Sequence, residues 1–528
     1  MHWADKIAKE IVASGKYKPY WVDDMKTPSG RVHIGSVRAA VTHELIFRAL
    51  KDLNKSVTFS YILEDHDPMD GLPIYVDQEI YKKYLGQPLY SIPSPDPGYK
   101  SFGERWGKEY IEIFDKIGVY PKIIWGSDLY RSGKMNEMVR VCLDKAEIIR
   151  GIYKTLYGKV KPKNWFPFQA RCEECGKIST TTTTGWNGER VTYECRVEGI
   201  EWTKGCGHSG EISPFSDKEN ISGKLLWKVE WPCKWNVVGV TIEGAGKDHM
   251  SAGGSHDFAK LMCKKVLGTK VPYSFSHEFF LVGGKKMSSS RGLGSSAKEV
   301  SEITPPYLVR FMIARVKYNQ QINFDPVGTM AIPDLFDEYD RAWEAYDKNG
   351  DEKLARAYVL SQIDKVPEKE KGFFAPRFRD IANFLSQGLS DKEILEKMQE
   401  AKGGKIDESE LGVLEERIKY AGIWIENYAP DEYRHELKDI KLIDIKILSE
   451  DQKKYLKAIL KIYNEGDDAA SLQISLYELA KSLKISTKDA FAAIYIAFIG
   501  KSHGPRAGML LSKFGREKTI QRIGVIKI

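Results

Sequence analysis

"YWVDDMKTPSGRVHIGS", residues 20–36, sets a strand-like run, a Pro/Gly/Ser turn and a histidine end to end. "YWVDDM" has the aromatic and β-branched start of a short strand. "TPSGRVHIG" carries the residues that punctuate a turn. Beyond it Val37, Val41 and Leu45 recur every fourth position through "SVRAAVTHELIFRALKDL", the period of a helix with one apolar face. "SVTFSYILED" (56–65) then reads as a buried strand. Strand, crossover helix and strand in this order predict a parallel sheet, whose ligands sit at the carboxyl ends of the strands. Gly30 and Gly35 permit close backbone approach, and His33 stands where a helix begins, where free N–H groups and the helix dipole attract anions. A lone histidine at such a place also serves as a plain cap.

The whole chain has 528 residues, more than one hydrophobic core accommodates, and typical domain sizes predict roughly three units. With 42 % apolar and 29 % charged residues it falls outside the regime of disordered chains. No apolar run reaches the roughly 18 residues that cross a bilayer, and the N-terminus lacks the hydrophobic stretch of a secretory signal. These features predict a cytoplasmic protein with no membrane partner. A formal net charge of +7 is too small for a general coat on nucleic acid, so polyanion contacts must be local. The last 28 residues hold one such bias: Lys501, Arg506, Lys513, Arg516, Lys518, Arg522 and Lys527 against Glu517 alone.

Residues 86–107 are rich in Pro and Gly and read as an irregular excursion. A second insertion over roughly 160–215 holds the threonine run 180–184, suited to a β-ribbon. The sheet pattern resumes with "KWNVVGVTIEGAGKDH" (234–249) and "PYSFSHEFFLVGG" (272–284). After about residue 316 the segments become amphipathic and rich in helix formers, which predicts an all-α region over 330–528. The expected division is an α/β domain over 1–315, split by the insertion, and a helical part over 316–528.

Four of the seven cysteines, Cys172, Cys175, Cys195 and Cys206, fall in the insertion. Clustering of this kind in a reducing compartment favours a metal over disulfides. "CEEC" forms a knuckle, "VTYEC" returns Cys195 along a ribbon strand, and Cys206 follows after a ten-residue loop. Four thiolates fill a tetrahedral shell, so the expected ion is a structural Zn²⁺, with His208 as the alternate ligand.

A second loop, "GGKKMSSSRG" (283–292), combines flexible backbone, cations and hydroxyls, and can close over a polyphosphate. The two loops together resemble the HIGH and KMSKS signatures of class I aminoacyl-tRNA synthetases. They stand here as His33-Ile34-Gly35-Ser36 and Lys286-Met287-Ser288-Ser289-Ser290, with Ser36 and Ser289 departing from the pattern. The resemblance implies a split Rossmann fold with ATP between the loops and Mg²⁺ on its phosphates. It further implies attack of an amino acid carboxylate on the α-phosphorus, and transfer of the acyl group to the terminal adenosine of a tRNA. It assigns catalysis to His33, Lys286 and Ser288. Nucleotide contacts fall to Gly30, Gly35, Ser36, Lys286, Met287 and Ser290. "EGAGKDHMSAGG" adds Gly246 and Asp248 for the nucleotide and His249 for the substrate pocket. The helical end is implied to bind the anticodon.

The amino acid is narrowed by charge. Glutamyl members of the class carry an arginine ten residues before the motif histidine; here that position is Asp23, followed by Asp24. Acids at a strand end favour a cationic substrate, because an unpaired buried charge is costly. "KLLWKVEWPCKW" (224–235) adds Glu230 and the aromatic faces of Trp227, Trp231 and Trp235 for cation–π contact. That segment resembles a stretch of class I lysyl-tRNA synthetases, and "EYDR" (338–341) and "IAFIGKSHGPRAGMLLSKFG" (496–515) extend the similarity to the whole chain. The implied substrates are L-lysine, ATP and tRNA-Lys, with Asp23, Asp24, Thr27, Glu230, Trp231 and His249 around the amino acid. The alternative is a class I enzyme for another amino acid, such as glutamate.

Overall fold

The computed structural model describes residues 1–284, 296–366, 373–464 and 467–526. Three strands precede the insertion: β1 (Tyr20–Lys26), β2 (Val57–Leu63) and β3 (Lys122–Trp125). The insertion contributes β4 (Phe168–Ala170), β5 (Thr181–Trp186), β6 (Val191–Cys195), β7 (Ser209–Ile212) and β8 (Gly223–Leu225). After it come β9 (Ile242–Gly246), β10 (Tyr273–His277), β11 (Phe280–Val282) and β12 (Ile322–Phe324).

The main sheet has the order β10-β9-β1-β2-β3 and every pairing in it is parallel. The crossover from β1 to β2 is the helix Ile34–Asp52, and its predicted stripe of Val37, Val41 and Leu45 is wholly buried. Polar residues of the same helix are buried too, and each has work there. Arg38 donates to the carbonyls of Phe279 at 2.7 Å and Tyr318 at 3.2 Å, pinning the chain just beyond β10. Glu44 meets the fully buried Arg310 at 2.7 Å, and Arg310 also donates to the carbonyls of Ile117 and Leu360. A guanidinium buried without such partners would be strongly destabilising.

The stretch "YSFSHEFFLV", expected as one strand, is two. The main sheet ends at His277, and β11 pairs with β12 in a separate parallel ribbon. The cause lies in the main chain: the Glu278 amide donates to Tyr318, and Arg38 takes the Phe279 carbonyl, so residues 278 and 279 find their partners outside the sheet. The insertion, expected over 160–215, is closed by the antiparallel pair β4–β8, with β5, β6 and β7 forming an antiparallel ribbon between them.

By contacts the chain divides into residues 1–324 with 341–367, and residues 325–340 with 368–528. Among the described residues no strand follows β12, and no helix is long and apolar enough to cross a membrane. The second unit packs Leu456, Ile459, Leu472, Leu476, Phe498 and Leu510 into one core. Four basic residues of its tail hold the unit itself together: Arg506 pairs with Glu393 at 2.7 Å, while Lys513, Arg516 and Arg522 donate to backbone carbonyls. That leaves fewer free cations than the sequence count suggests.

Candidate active site

The carboxyl ends of β1, β9 and β10 open onto a cavity of about 700 Å³. Asp24 to Thr27, Glu243 to Gly246, and His277 to Phe280 line it, together with His33, Gly35 and Ser36 from the start of the crossover helix. This is where an open parallel sheet places its ligands.

One group of lining residues suits an anion. His33 is the N-cap of the helix Ile34–Asp52, and its Nδ1 accepts the Ser36 amide at 3.2 Å. The Ser36 hydroxyl lies 3.4 Å from Nδ1 and 3.3 Å from Nε2 of the same ring. The helix terminus adds its own positive end. Gly246 and Asp248 both line the cavity, and a Cβ at Gly246 would lie 2.7 Å from the Asp248 carboxylate. Lys26, the last residue of β1, also lines it; burial lowers its pKa, and Asp24, Asp70 and Asp67 work against that fall. Of the expected nucleotide residues, Gly30 is buried in the turn and does not reach the cavity. Lys286, Met287, Ser288 and Ser290 lie outside the described residues.

A second group of lining residues suits a cation. The helix Trp227–Val238 carries its tryptophans at positions i, i+4 and i+8, so all three share one face, with ring centroids 6.2 and 5.0 Å apart. Trp227 and Trp231 reach the cavity, and His249 stands edge-on to Trp227 at 5.4 Å. Trp235 is buried behind them. The acids are arranged differently from the expectation. Asp24 lines the cavity, whereas Asp23, its neighbour on the strand, points to the other face, is fully buried and accepts from Ser60. Glu230 does not reach the cavity either: it is held by Lys224 at 2.8 Å, Lys234 at 3.1 Å and the Tyr130 hydroxyl at 2.7 Å.

The acid that does reach the cavity floor, and that sequence reasoning missed, is Glu243 on β9. Its carboxylate accepts from the indoles of Trp231, at 2.8 Å, and Trp235. Burial, helped by Asp24, raises its pKa to about 8, against the pull of the two indole donors. An ordinary unfolded-state glutamate titrates near 4.3, so between there and pH 8 the folded protein holds a proton that the unfolded chain releases. Stability from this group therefore falls as pH rises across that window, and Glu64, held near 7 by burial, acts in the same direction. The expected result is a progressive loss of unfolding free energy in urea from pH 6 to pH 9. Glu243→Gln, less stable throughout because its amide opposes an indole donor, has a shallower slope; an unchanged slope refutes the assignment.

Thr27 lines the cavity and donates its hydroxyl to Asp67 Oδ2 at 2.6 Å. Lys224, only 1 % exposed, bridges Asp67 and Glu230. Lys234 bridges Glu230 and Glu64. Burial alone raises the Asp67 pKa, but Lys224 reverses the sign and holds it below the ordinary carboxylate range. Nothing in the hydropathy pattern marks these charges as buried.

In the insertion, Cys172, Cys175, Cys195 and Cys206 bring their sulfurs within 4.8 Å of one another. The closest pairs are 3.5 Å (Cys172–Cys206) and 3.6 Å (Cys175–Cys195). The Cys206 amide donates to the Cys195 sulfur at 3.4 Å, and Gly205 is required beside it, since a Cβ there would lie 2.4 Å from the Arg196 carbonyl. His208 stands apart from the four sulfurs, its Nε2 3.9 Å from the Glu173 carboxylate.

Two family profiles match the chain: tRNA synthetases class I (K) over residues 1–364, and an anticodon binding domain over residues 380–526. Among curated proteins, the lysine--tRNA ligase of Thermoplasma volcanium is 32 % identical over 99 % of this chain and 98 % of its own length. The lysine--tRNA ligase of Methanocaldococcus jannaschii is 31 % identical, with both chains covered completely. That of Archaeoglobus fulgidus is 29 % identical over 99 % of each chain.

Proposed function

Because the chain belongs to the class I (K) tRNA synthetases, we propose that this cavity activates L-lysine with ATP and passes it to tRNA-Lys. The observation that carries the choice of amino acid is the lining of the cavity. It holds a helix terminus with His33, and also Asp24, Glu243 and two tryptophans. The phosphates belong at the first group, and the lysine ammonium at the second, where Asp24 and the aromatic faces both favour it. The lysine carboxylate attacks the α-phosphorus, pyrophosphate leaves, and the adenylate gives its acyl group to the tRNA's terminal ribose with release of AMP. The work of the protein is to hold reactants in line and to meet charge where it develops. The ring of His33 and the first amides of its helix meet the phosphates, with Gly35, Ser36, Gly246 and Asp248 shaping the nucleotide wall. Lys286 and Ser288, with Met287 and Ser290, are assigned from sequence to the nucleotide. Mg²⁺ bound with the ATP phosphates would neutralise part of their charge.

The four cysteines suit a structural Zn²⁺. Zinc–sulfur bonds of about 2.3 Å at tetrahedral angles separate the sulfurs by about 3.8 Å, close to the 3.5 and 3.6 Å pairs here. The thiolates of Cys172, Cys175, Cys195 and Cys206 would hold the ion, whose contribution is to fasten the ribbon. The helical unit, which includes the anticodon-domain match, is assigned to the anticodon.

Amino-acid-dependent ATP–pyrophosphate exchange, run with all twenty amino acids, tests the reading. Exchange stimulated by lysine alone is the expected result. Stimulation by another amino acid, glutamate included, transfers the enzyme to a different member of the class, and no stimulation by any removes the activity altogether.

A further inference from the structure

Thr27 has one hydroxyl proton, and its destination decides what the cavity can offer a ligand there. The proton is given to Asp67 Oδ2 at 2.6 Å. The other oxygen of Asp67 meets the buried Lys224 ammonium, and the Asp67 main chain is fixed by its amide on the Glu64 carbonyl and its carbonyl on the Leu89 amide. A carboxylate in this position accepts from both sides and donates to neither. The threonine oxygen is thereby left with lone pairs only towards the cavity. The surrounding charges reinforce this polarity: Glu64, Asp67 and Glu230 hold Lys224 and Lys234, and Asp24, Asp67 and Asp70 act on Lys26 next to Thr27, so these carboxylates outnumber these lysines.

We propose that Asp67, locked by Lys224, is a positioning residue that turns the Thr27 hydroxyl into an obligate acceptor for an ammonium group of the substrate. The inference rests on the lysine reading above and deepens it. Lysine carries two ammonium groups, α and ε, and the chemistry at Thr27 is the same for both. Lys224 belongs to β8, the strand that closes the insertion, and Gln169, Ser179, Ile200 and Trp202 of the insertion line the same cavity.

Asp67→Asn tests it with little change of volume. Beside Lys224 the amide must present its carbonyl, which leaves its NH₂ facing Thr27. The hydroxyl then accepts from the amide and aims its own proton into the cavity, against the substrate cation. The expected result in ATP–pyrophosphate exchange is a lysine KM raised at least tenfold, with kcat and the KM for ATP nearly unchanged. Thr27→Val removes the hydroxyl, and in that background Asp67→Asn has no further effect on the lysine KM. Inhibition by norleucine and by 6-aminohexanoate, which lack the ε- and the α-ammonium respectively, identifies the group. If Asp67→Asn weakens 6-aminohexanoate but not norleucine, the ε-ammonium sits at Thr27; the converse places the α-ammonium there. Either pattern supports the proposal. It is overturned if Asp67→Asn leaves the lysine KM unchanged, if the loss falls on kcat alone, or if the full loss persists without the Thr27 hydroxyl. Should Asp67→Asn fail to fold, Thr27→Val alone decides: a lysine KM equal to that of the wild type overturns the proposal. A wild-type protein inactive with every amino acid would instead remove the lysine reading itself.

Discussion

His33→Ala lowers the kcat of lysine-dependent ATP–pyrophosphate exchange by roughly 10²–10³-fold, the loss typical of one preorganised donor aimed at developing charge. Two effects are combined in that substitution and can be separated. His33 caps the helix Ile34–Asp52 through Nδ1, and losing a cap costs about 1 kcal/mol of stability. Under the proposed function the rest of its ring is the part that meets the phosphates. Asn is a good cap but too short to reach as far as Nε2. His33→Asn should therefore keep the thermal stability of the wild type while losing nearly as much rate as His33→Ala. Lysine affinity, measured at equilibrium, stays nearly constant in both, because the substitutions leave Asp24, Glu243 and the two tryptophans of the cavity in place. A His33→Asn enzyme with wild-type kcat would reduce the residue to a cap.

How far the sequence could be read depended on whether a residue's role follows from a period or from a partner. The parallel sheet, the crossover helix and the cavity at the strand ends all follow from periods in residues 20–65, and the structure has them. Strand alternation puts Asp23 and Asp24 on opposite faces of the sheet, but it does not say which of them meets the cavity, which Glu243, in register with Asp23, also lines. Helical spacing, similarly, puts Trp227, Trp231 and Trp235 on one face and leaves Glu230 off it. Only one partner of Glu230 could be found that way. Lys234 is four residues on along the same helix and helical spacing does report it, but Lys224 on β8 and the Tyr130 hydroxyl come from other elements, and only the fold brings them to Glu230. Glu243 was hidden for a related reason: one acid in "VTIEGAG" looks like a strand's exposed side until two indoles are seen to hold it. The break at His277 depends on Arg38 and Tyr318, far away in sequence, which no local pattern reports.

The cysteine cluster gives the other large expected effect. The purified protein should carry one zinc per chain by elemental analysis, and Cys195→Ser or Cys206→Ser should abolish it. Apparent binding energies of structural zinc are about 10–16 kcal/mol in small domains, and a three-thiolate site with one hydroxyl forfeits a large part of that. His208→Ala should retain the metal, because the four sulfurs are already grouped and His208 stands outside them. The consequence reaches beyond the ribbon. Cys172, Val191, Tyr193 and Cys195 share one buried core with Met138, Leu225, Val229 and Cys233. Val229 and Cys233 lie on the helix whose opposite face presents Trp227 and Trp231 to the cavity. Chelation should therefore do two things in sequence: open the segment 168–225 to protease, and then raise the lysine KM as the tryptophan helix loses its support. Zinc retained in Cys195→Ser, or lost in His208→Ala, would exchange the roles of those two residues. Zinc removed with no change in protease sensitivity or lysine KM would mean that the ribbon is held by its apolar core alone.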